Sequence, residues 1–194
     1  MNILIRHGLP EAQREAAARM YWRAFGPKLG RVLGPEPQAM RFLQRVMHAD
    51  RCLVALDEGG ALLGIAGFRT AEGSFAGGGT EDLYAVYGRL GGMWRAFILQ
   101  LLADEPDTGR FLLDGLCVAD FARGRGVGTR LLTAVCAEAR RQGYPSVRLD
   151  VVDSNPRARA LYERAGFVTQ DVAPLGLLRF VFGFRAAYRM VRAL

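Results

Sequence analysis

The chain has 194 residues and a formal net charge of +7, which is the size of one domain with room for a substantial core. Hydrophobic residues make up 51% and charged residues 23%, which excludes a disordered or collagen-like chain and leaves a compact enzyme or binding module. Of the 26 basic residues only Lys28 is a lysine, and the arginines are scattered over nearly every segment. A nucleic-acid binder gathers its basic residues into a face that meets phosphates, so no nucleic-acid partner is expected; attraction of a small polyanion is the milder use of this charge.

Cys52, Cys117 and Cys136 lie far apart in apolar stretches, with no C-x-x-C pair. An odd count argues against a disulfide framework, and reduced, buried thiols are expected. The first 13 residues have no basic n-region and only a three-residue apolar run before Arg6, and no uncharged stretch reaches the roughly 18 residues a spanning helix needs. These features predict a cytoplasmic protein without a membrane span.

Residues 2–6 alternate as a short strand, with Ile3 and Ile5 on one face. Residues 10–33 carry Ala17, Met20, Tyr21, Ala24 and Phe25 at helical spacing, with a break predicted at Gly26 and Pro27. Pro35 and Pro37 introduce a second helix whose apolar face is Met40, Leu43, Val46 and Met47. Residues 52–56 and 61–68 read as a hairpin, with the turn at 57–60 using the positive φ angles that glycine tolerates. Residues 70–79 are Gly-rich and predicted loose, and residues 81–103 read as an apolar helix inside a helical insertion spanning 71–109. A strong strand at 111–118 runs into a glycine-rich turn and a helix through Arg141, which Gly143 ends with a left-handed cap. Residues 147–152 alternate as a strand, Asn155 and Pro156 are cap and first-turn residues of a helix ending at Gly166, and 167–170 starts another strand. The final strand falls within 175–194. With no internal repeat and no linker, residues 1–194 read as one domain.

The chemistry centres on strand, glycine-rich turn and helix, LDGLCVADFARGRGVGTRLLTAVCAEAR from Leu113 to Arg140. Such a turn exposes backbone N–H groups at the positive end of a helix, which suits a phosphate or pyrophosphate. A dinucleotide fingerprint would need glycine at 129 or 131, where Thr129 and Leu131 stand, and a P-loop would need a lysine, which this region lacks. What remains is R-x-x-G-x-G, from Arg123 through Gly126 to Gly128. Further along comes NPRARALYERAGF, from Asn155 to Phe167. Taken separately, the first pattern also describes an ordinary strand-to-helix turn, Asn155 an ordinary helix cap and Tyr162 a core aromatic.

Taken together, the two segments resemble the GNAT superfamily of N-acetyltransferases, whose acetyl-CoA site combines R-x-x-G-x-G with N-x-x-A-x-x-L-Y-x-x-x-G-F. Arg123, Gly126, Gly128, Asn155, Ala158, Leu161, Tyr162, Gly166 and Phe167 occupy the fixed positions. The resemblance implies an α/β fold with a mixed central sheet flanked by helices, and splayed strands that form the acetyl-CoA site. It further implies that the amides of Arg123, Gly124, Arg125, Gly126, Val127, Gly128 and Thr129 hold the CoA pyrophosphate. The pantetheine arm would lie along Leu116, Cys117 and Val118, with the Val118 amide donating to the thioester carbonyl. Asn155 would contact the arm and Tyr162 would protonate the departing thiolate. Cys117 itself reads as a small apolar filler without a covalent role.

For a general base, Asp114 is the only carboxylate if residues 114, 116 and 118 share one strand face; a strand-end carboxylate bonded to a neighbouring loop is the equal alternative. Asp150, Glu81 and Asp82 are weaker candidates, and no metal site is expected. The acceptor site would draw on the first two helices, the 71–109 insertion and the C-terminal segment. There Tyr84, Tyr87, Trp94, Phe97, Phe180, Phe182 and Phe184 either line an acceptor pocket or pack a core or homodimer seam. The expected activity is transfer of an acetyl group from acetyl-CoA to a primary amine by direct attack in a ternary complex. The alternative is a CoA-binding sensor or interaction module without transferase activity.

Overall fold

The computed structural model describes residues 2–102 and 109–194. Strand β1 (Leu4–His7) leads into helices α1 (Arg14–Leu33) and α2 (Glu36–Val46), then the hairpin of β2 (Cys52–Leu56) and β3 (Leu62–Thr70). A two-residue strand β4 (Gly73–Ser74) and helix α3 (Thr80–Leu102) precede β5 (Phe111–Val118), α4 (Val127–Arg141), β6 (Ser146–Val152) and α5 (Pro156–Arg164). The chain closes with β7 (Val168–Pro174), the short α6 (Arg179–Phe182) and β8 (Ala186–Ala193).

The strands form one open, mixed sheet in the order β1-β2-β3-β5-β6-β8-β7, with β4 attached to β3. Every pairing is antiparallel except β5 with β6. Helix α4 covers one face: Val127, Leu131, Leu132, Val135, Cys136 and Ala139, spaced at helical period, pack on Leu53, Leu63, Phe68, Phe111 and Leu149. Helices α1 and α2 cover the other face, where Ala17, Ala18, Tyr21 and Leu43 meet Cys52, Val54, Ile65 and Phe75. With both faces covered, β2 is buried at all five positions, so its sequence shows no polar alternation. The start of α4 sits hard on the sheet: a Cβ at Gly64 would lie 2.9 Å from the Cys117 carbonyl oxygen and 3.1 Å from Val127 Cγ1.

The hairpin, the Gly143 cap (φ 80°) and the helix ending at Gly166 (φ 84°) stand as read from the sequence. Helix α1, by contrast, does not break at Gly26 and Pro27 but runs through Pro27 to Leu33. Burial of Val32 and Leu33 rewards the extra turns, overriding the lost backbone bond. Segment 70–79 is not loose: β4 pairs with Arg69 and Thr70, Phe75 is fully buried, and the Phe75 carbonyl accepts from the His48 N–H at 2.8 Å. Helix α3 is interrupted at Gly88 (φ 72°, ψ 169°), a conformation suited to glycine, and its predicted extension to Ala103 lies outside the described residues. The aromatics of this segment divide: Tyr87 packs on Phe42 and donates to the Leu33 carbonyl, while Trp94 and Phe97 are 43% and 62% exposed and so do not fill a core.

The register correction that matters most falls on β5. Gly67 of β3 pairs with Gly115, but Phe68 pairs with Leu113, so Asp114 is the extra residue of a β-bulge. Alternation resets there. Phe111 and Leu113 share the α4 face with Leu116 and Val118, while Cys117 faces α1, so Asp114 does not share a face with 116 and 118. Helix α1 presses on the bulge, since a Cβ at Gly115 would lie 3.0 Å from Phe25 and 3.2 Å from Tyr21.

The space for Phe75 is provided by Gly67, where an added Cβ would fall 2.5 Å from Phe75 Cδ1. Gly67→Ala is therefore expected to cost about 1–3 kcal/mol of stability by overpacking, read from the midpoint of urea unfolding; an unshifted midpoint would show that Phe75 relocates freely.

Candidate active site

Strands β5 and β6 pair only at Phe111 with Val147, Leu112 with Arg148 and Leu113 with Leu149. Past that point β5 follows β3 and β6 follows β8, and a gap opens between them. Consecutive amides on a strand point to opposite edges. The Ala119 N–H donates to the Leu63 carbonyl at 2.9 Å, so the Val118 N–H and, two residues back, that of Leu116 face the gap.

At the mouth of the gap lies the glycine-rich turn. Gly124 and Gly126 have φ of 74° and 79°, and Gly126 is the N-cap of α4 without any side-chain cap. The first-turn donors are therefore left for another acceptor. Gly128 serves packing instead, since a Cβ there would lie 3.2 Å from Leu161 Cδ2. The two sequence motifs thus touch at one contact, which brings the start of α4 against α5. A cavity of about 920 Å³ occupies the gap, lined by Leu116, Cys117, Val118, the turn residues Arg123, Gly124, Gly126, Val127, Gly128 and Thr129, and Asn155. Its rim carries Arg19, Arg23, Arg123, Arg157 and Arg164 against the single carboxylate of Asp120, giving a net positive mouth. Asp120 pairs with Arg123 at 2.8 Å and approaches Arg23 at 3.9 Å, linking the turn to α1.

Helix α5 aims two motif residues. Asn155 Oδ1 accepts the Ala158 N–H at 3.2 Å, so Asn155 is a helix cap, and it also lines the cavity. At the other end the Phe167 N–H donates to the Tyr162 carbonyl and the Gly166 N–H to the Glu163 carbonyl, both at 3.0 Å. This is a Schellman cap, and its accompanying apolar contact is Tyr162 against Phe167, with ring centroids 6.1 Å apart. The Tyr, Gly and Phe of the motif therefore fix the Tyr162 ring. Tyr162 is buried, lines a second cavity, and its phenol is pushed up to about 12 by desolvation.

That second cavity, about 230 Å³, lies behind Leu116 and Asn155, which line both. Phe25, Lys28 and Leu29 of α1, Asp114, Asp150, and Phe182 and Phe184 of the C-terminal segment enclose it. Among the described residues neither α2 nor α3 contributes to it, against the expectation for the second helix and the 71–109 insertion. Asp114 accepts a hydrogen bond from Ser74 Oγ and lies 3.4 Å from the Arg69 guanidinium. It is thus both a cavity residue and a carboxylate bonded to neighbouring strands, Ser74 of β4 and Arg69 of β3, rather than to a loop. Glu81 and Asp82 lie elsewhere, Asp82 pairing with Arg45 at 2.6 Å. Lys28, Phe25 and the rim residues Arg157 and Arg164 carried no sequence signal, because long-range packing brings them to the site.

An open mixed sheet parted beside a helix N-terminus, with an arginine-rimmed cleft on one side and a small, mostly apolar cavity on the other, is a site suited to an elongated anionic ligand. Residues 14–167 match the acetyltransferase (GNAT) family, and the chain belongs to it; acetyl-CoA is the acyl donor of that family. A mycothiol acetyltransferase from Jonesia denitrificans is 39% identical over 70 residues, a stretch that makes up 36% of this chain and only 22% of that protein. The fold is shared with a GCN5-related N-acetyltransferase from Kribbella flavida (TM-score 0.65, 20% identity, 99% of this chain and 98% of that one). A streptothricin acetyltransferase homologue from Bacillus anthracis, solved with acetyl coenzyme A, aligns with TM-score 0.50 and 15% identity over 74% of this chain and 61% of its own. No helix among the described residues is long and apolar enough to cross a membrane.

The cysteines are buried and free, and burial pushes the Cys52 and Cys117 thiols up to about 12 and raises that of Cys136. A thiol whose pKa is raised stays protonated, and hence unreactive, as pH climbs past its ordinary range. Ellman titration of the native protein at about pH 8 is expected to give almost no fast thiol, with all three cysteines appearing only on unfolding; a rapid stoichiometric reaction of Cys117 would contradict its assignment as packing.

Proposed function

We propose that the protein is an acetyl-CoA-dependent N-acetyltransferase whose acceptor, a primary amine, attacks the thioester directly in a ternary complex. Residues 1–194 would act as one domain, with 71–109 as a helical insertion. The reading rests on the gap between β5 and β6, which joins an anion-binding mouth to a small cavity holding a carboxylate and a buried phenol.

In this reading the amides from Arg123 to Thr129 and the positive rim hold the pyrophosphate. The pantetheine arm runs along Leu116, Cys117 and Val118 as an added strand, next to Asn155. The Val118 N–H donates to the thioester oxygen and stabilises the charge that develops there on attack. Asp114 takes a proton from the acceptor ammonium, directly or through water, and frees the nitrogen lone pair. As the C–N bond forms and the C–S bond breaks, CoA departs as thiolate, Tyr162 supplies a proton to the sulfur, and the proton released by the new amide nitrogen passes to solvent, from which the phenol is restored. Burial keeps the phenol protonated up to about pH 12, so this donor is in its working form at every physiological pH. The relative's name specifies mycothiol, but the shared stretch is too small a part of that protein to carry its acceptor over.

The test is release of free CoA thiol from acetyl-CoA in the presence of a panel of small amines. Amine-dependent release is expected, with Tyr162→Phe and Asp114→Asn each lowering kcat by about 10²-fold while acetyl-CoA affinity stays within about twofold. An unchanged kcat in Tyr162→Phe would remove the phenol from the mechanism. Tight acetyl-CoA binding without release by any amine would favour a CoA-binding interaction module.

A further inference from the structure

We propose that Lys28 binds an anionic group of the acceptor, so that the amine substrate carries a carboxylate beside an apolar body. The inference rests on the transferase reading above and assigns its acceptor class.

Lys28 is the single lysine of the chain, it is half-buried, and it lines the 230 Å³ cavity that also holds Asp114 and Tyr162. Among the described residues the charges there are matched in all but one case. Asp114 faces Arg69 at 3.4 Å, and Asp150 faces Arg148 at 2.9 Å and Arg189 at 3.8 Å. Lys28, among the described residues, pairs with no carboxylate; its ammonium lies 5.8 Å from the centroid of the Phe25 ring. A partly buried cation without a counter-ion is unfavourable, and that cost is relieved when a ligand brings the anion. Burial also lowers the ammonium's pKa, the direction expected of an uncompensated cation.

The remaining walls set the rest of the acceptor. Phe25, Leu29, Leu113, Leu149, Phe182 and Phe184 are apolar, and 230 Å³ is below the roughly 300–1,000 Å³ of a drug-sized site. The cavity therefore suits a small molecule with an apolar body, an amine presented toward Asp114 and the thioester, and a carboxylate on Lys28. Long polycations fit neither the volume nor the charge.

Calorimetric titration of the CoA-loaded protein with 3-phenylpropanoate and with the uncharged 3-phenylpropanamide separates anion binding from turnover. The acid is expected to bind at least about tenfold more tightly than the amide, a ratio that Lys28→Met abolishes and Lys28→Arg retains. Equal affinities in the wild type, no binding of either compound, or an unaltered ratio in Lys28→Met would each overturn the proposal. In parallel, CoA release is compared for phenylalanine and phenethylamine. Preference for phenylalanine supports the proposal, and equal turnover overturns it while leaving the transferase reading intact. Acid-selective binding with no release from any amine upholds the anion site and contradicts the transferase reading.

Discussion

Beyond Leu113 and Leu149, β5 and β6 stop sharing hydrogen bonds, and the rest of the site follows from where each strand goes instead. The bulge at Asp114 turns β5 along β3, while β6 stays paired with β8 at all seven of its positions, from Ser146 to Val152. At Leu112 and Leu113 β5 pairs with β3 on one edge and β6 on the other, and only past the bulge is the edge toward β6 left unpaired. A strand edge inside the fold is left with amides to satisfy, which is a demand for an extended ligand. Gly115 makes the bulge tolerable under Phe25 and Tyr21, and Gly64 lets the start of α4 close on the sheet beside it. The parting of the strands, the helix N-terminus and the phenol of Tyr162 thus converge through packing rather than through any one charged contact.

Electrostatics then sorts the two halves of the gap. The outer half collects five arginines around unsatisfied amides, with Asp120 as the one carboxylate on its lining. Arginine suits such a rim because its charge persists at any working pH and its planar fork meets phosphate oxygens in pairs. The inner half is mostly apolar, and its carboxylates are each held by an arginine. A net charge of +7 spread over the whole surface would have been uninformative; its local unevenness is what carries the chemistry.

How much of this was legible in the sequence depends on the range of the forces involved. Local backbone requirements leave fixed residues behind, so Gly126, the Gly143 cap and the Asn155 to Phe167 segment were readable, as was the β2–β3 hairpin. The motif also has a structural meaning that spacing alone could not reveal: Gly128 makes room for Leu161, and Gly166 and Phe167 lock the Tyr162 ring. Features set by a distant partner stayed hidden. A bulge exists only relative to the neighbouring strand's register, so Asp114 was assigned to the wrong face. Pro27 reads as a helix breaker until the buried Val32 and Leu33 are seen beyond it. The placement of β8 between β6 and β7 is likewise written in the packing of Met190 and Val191, not in the Arg-studded C-terminal sequence.

The central claim is that the parted strands and the turn at Arg123–Thr129 form the CoA site, and calorimetric titration with acetyl-CoA tests it most directly. The wild type is expected to bind one equivalent, and a variant with both Gly126→Val and Gly128→Val is expected to lose at least about a hundredfold in affinity, because the first change strains a positive φ and the second drives a branched side chain into Leu161. Equal affinity in a folded double variant, or no binding by the wild type, would contradict the account.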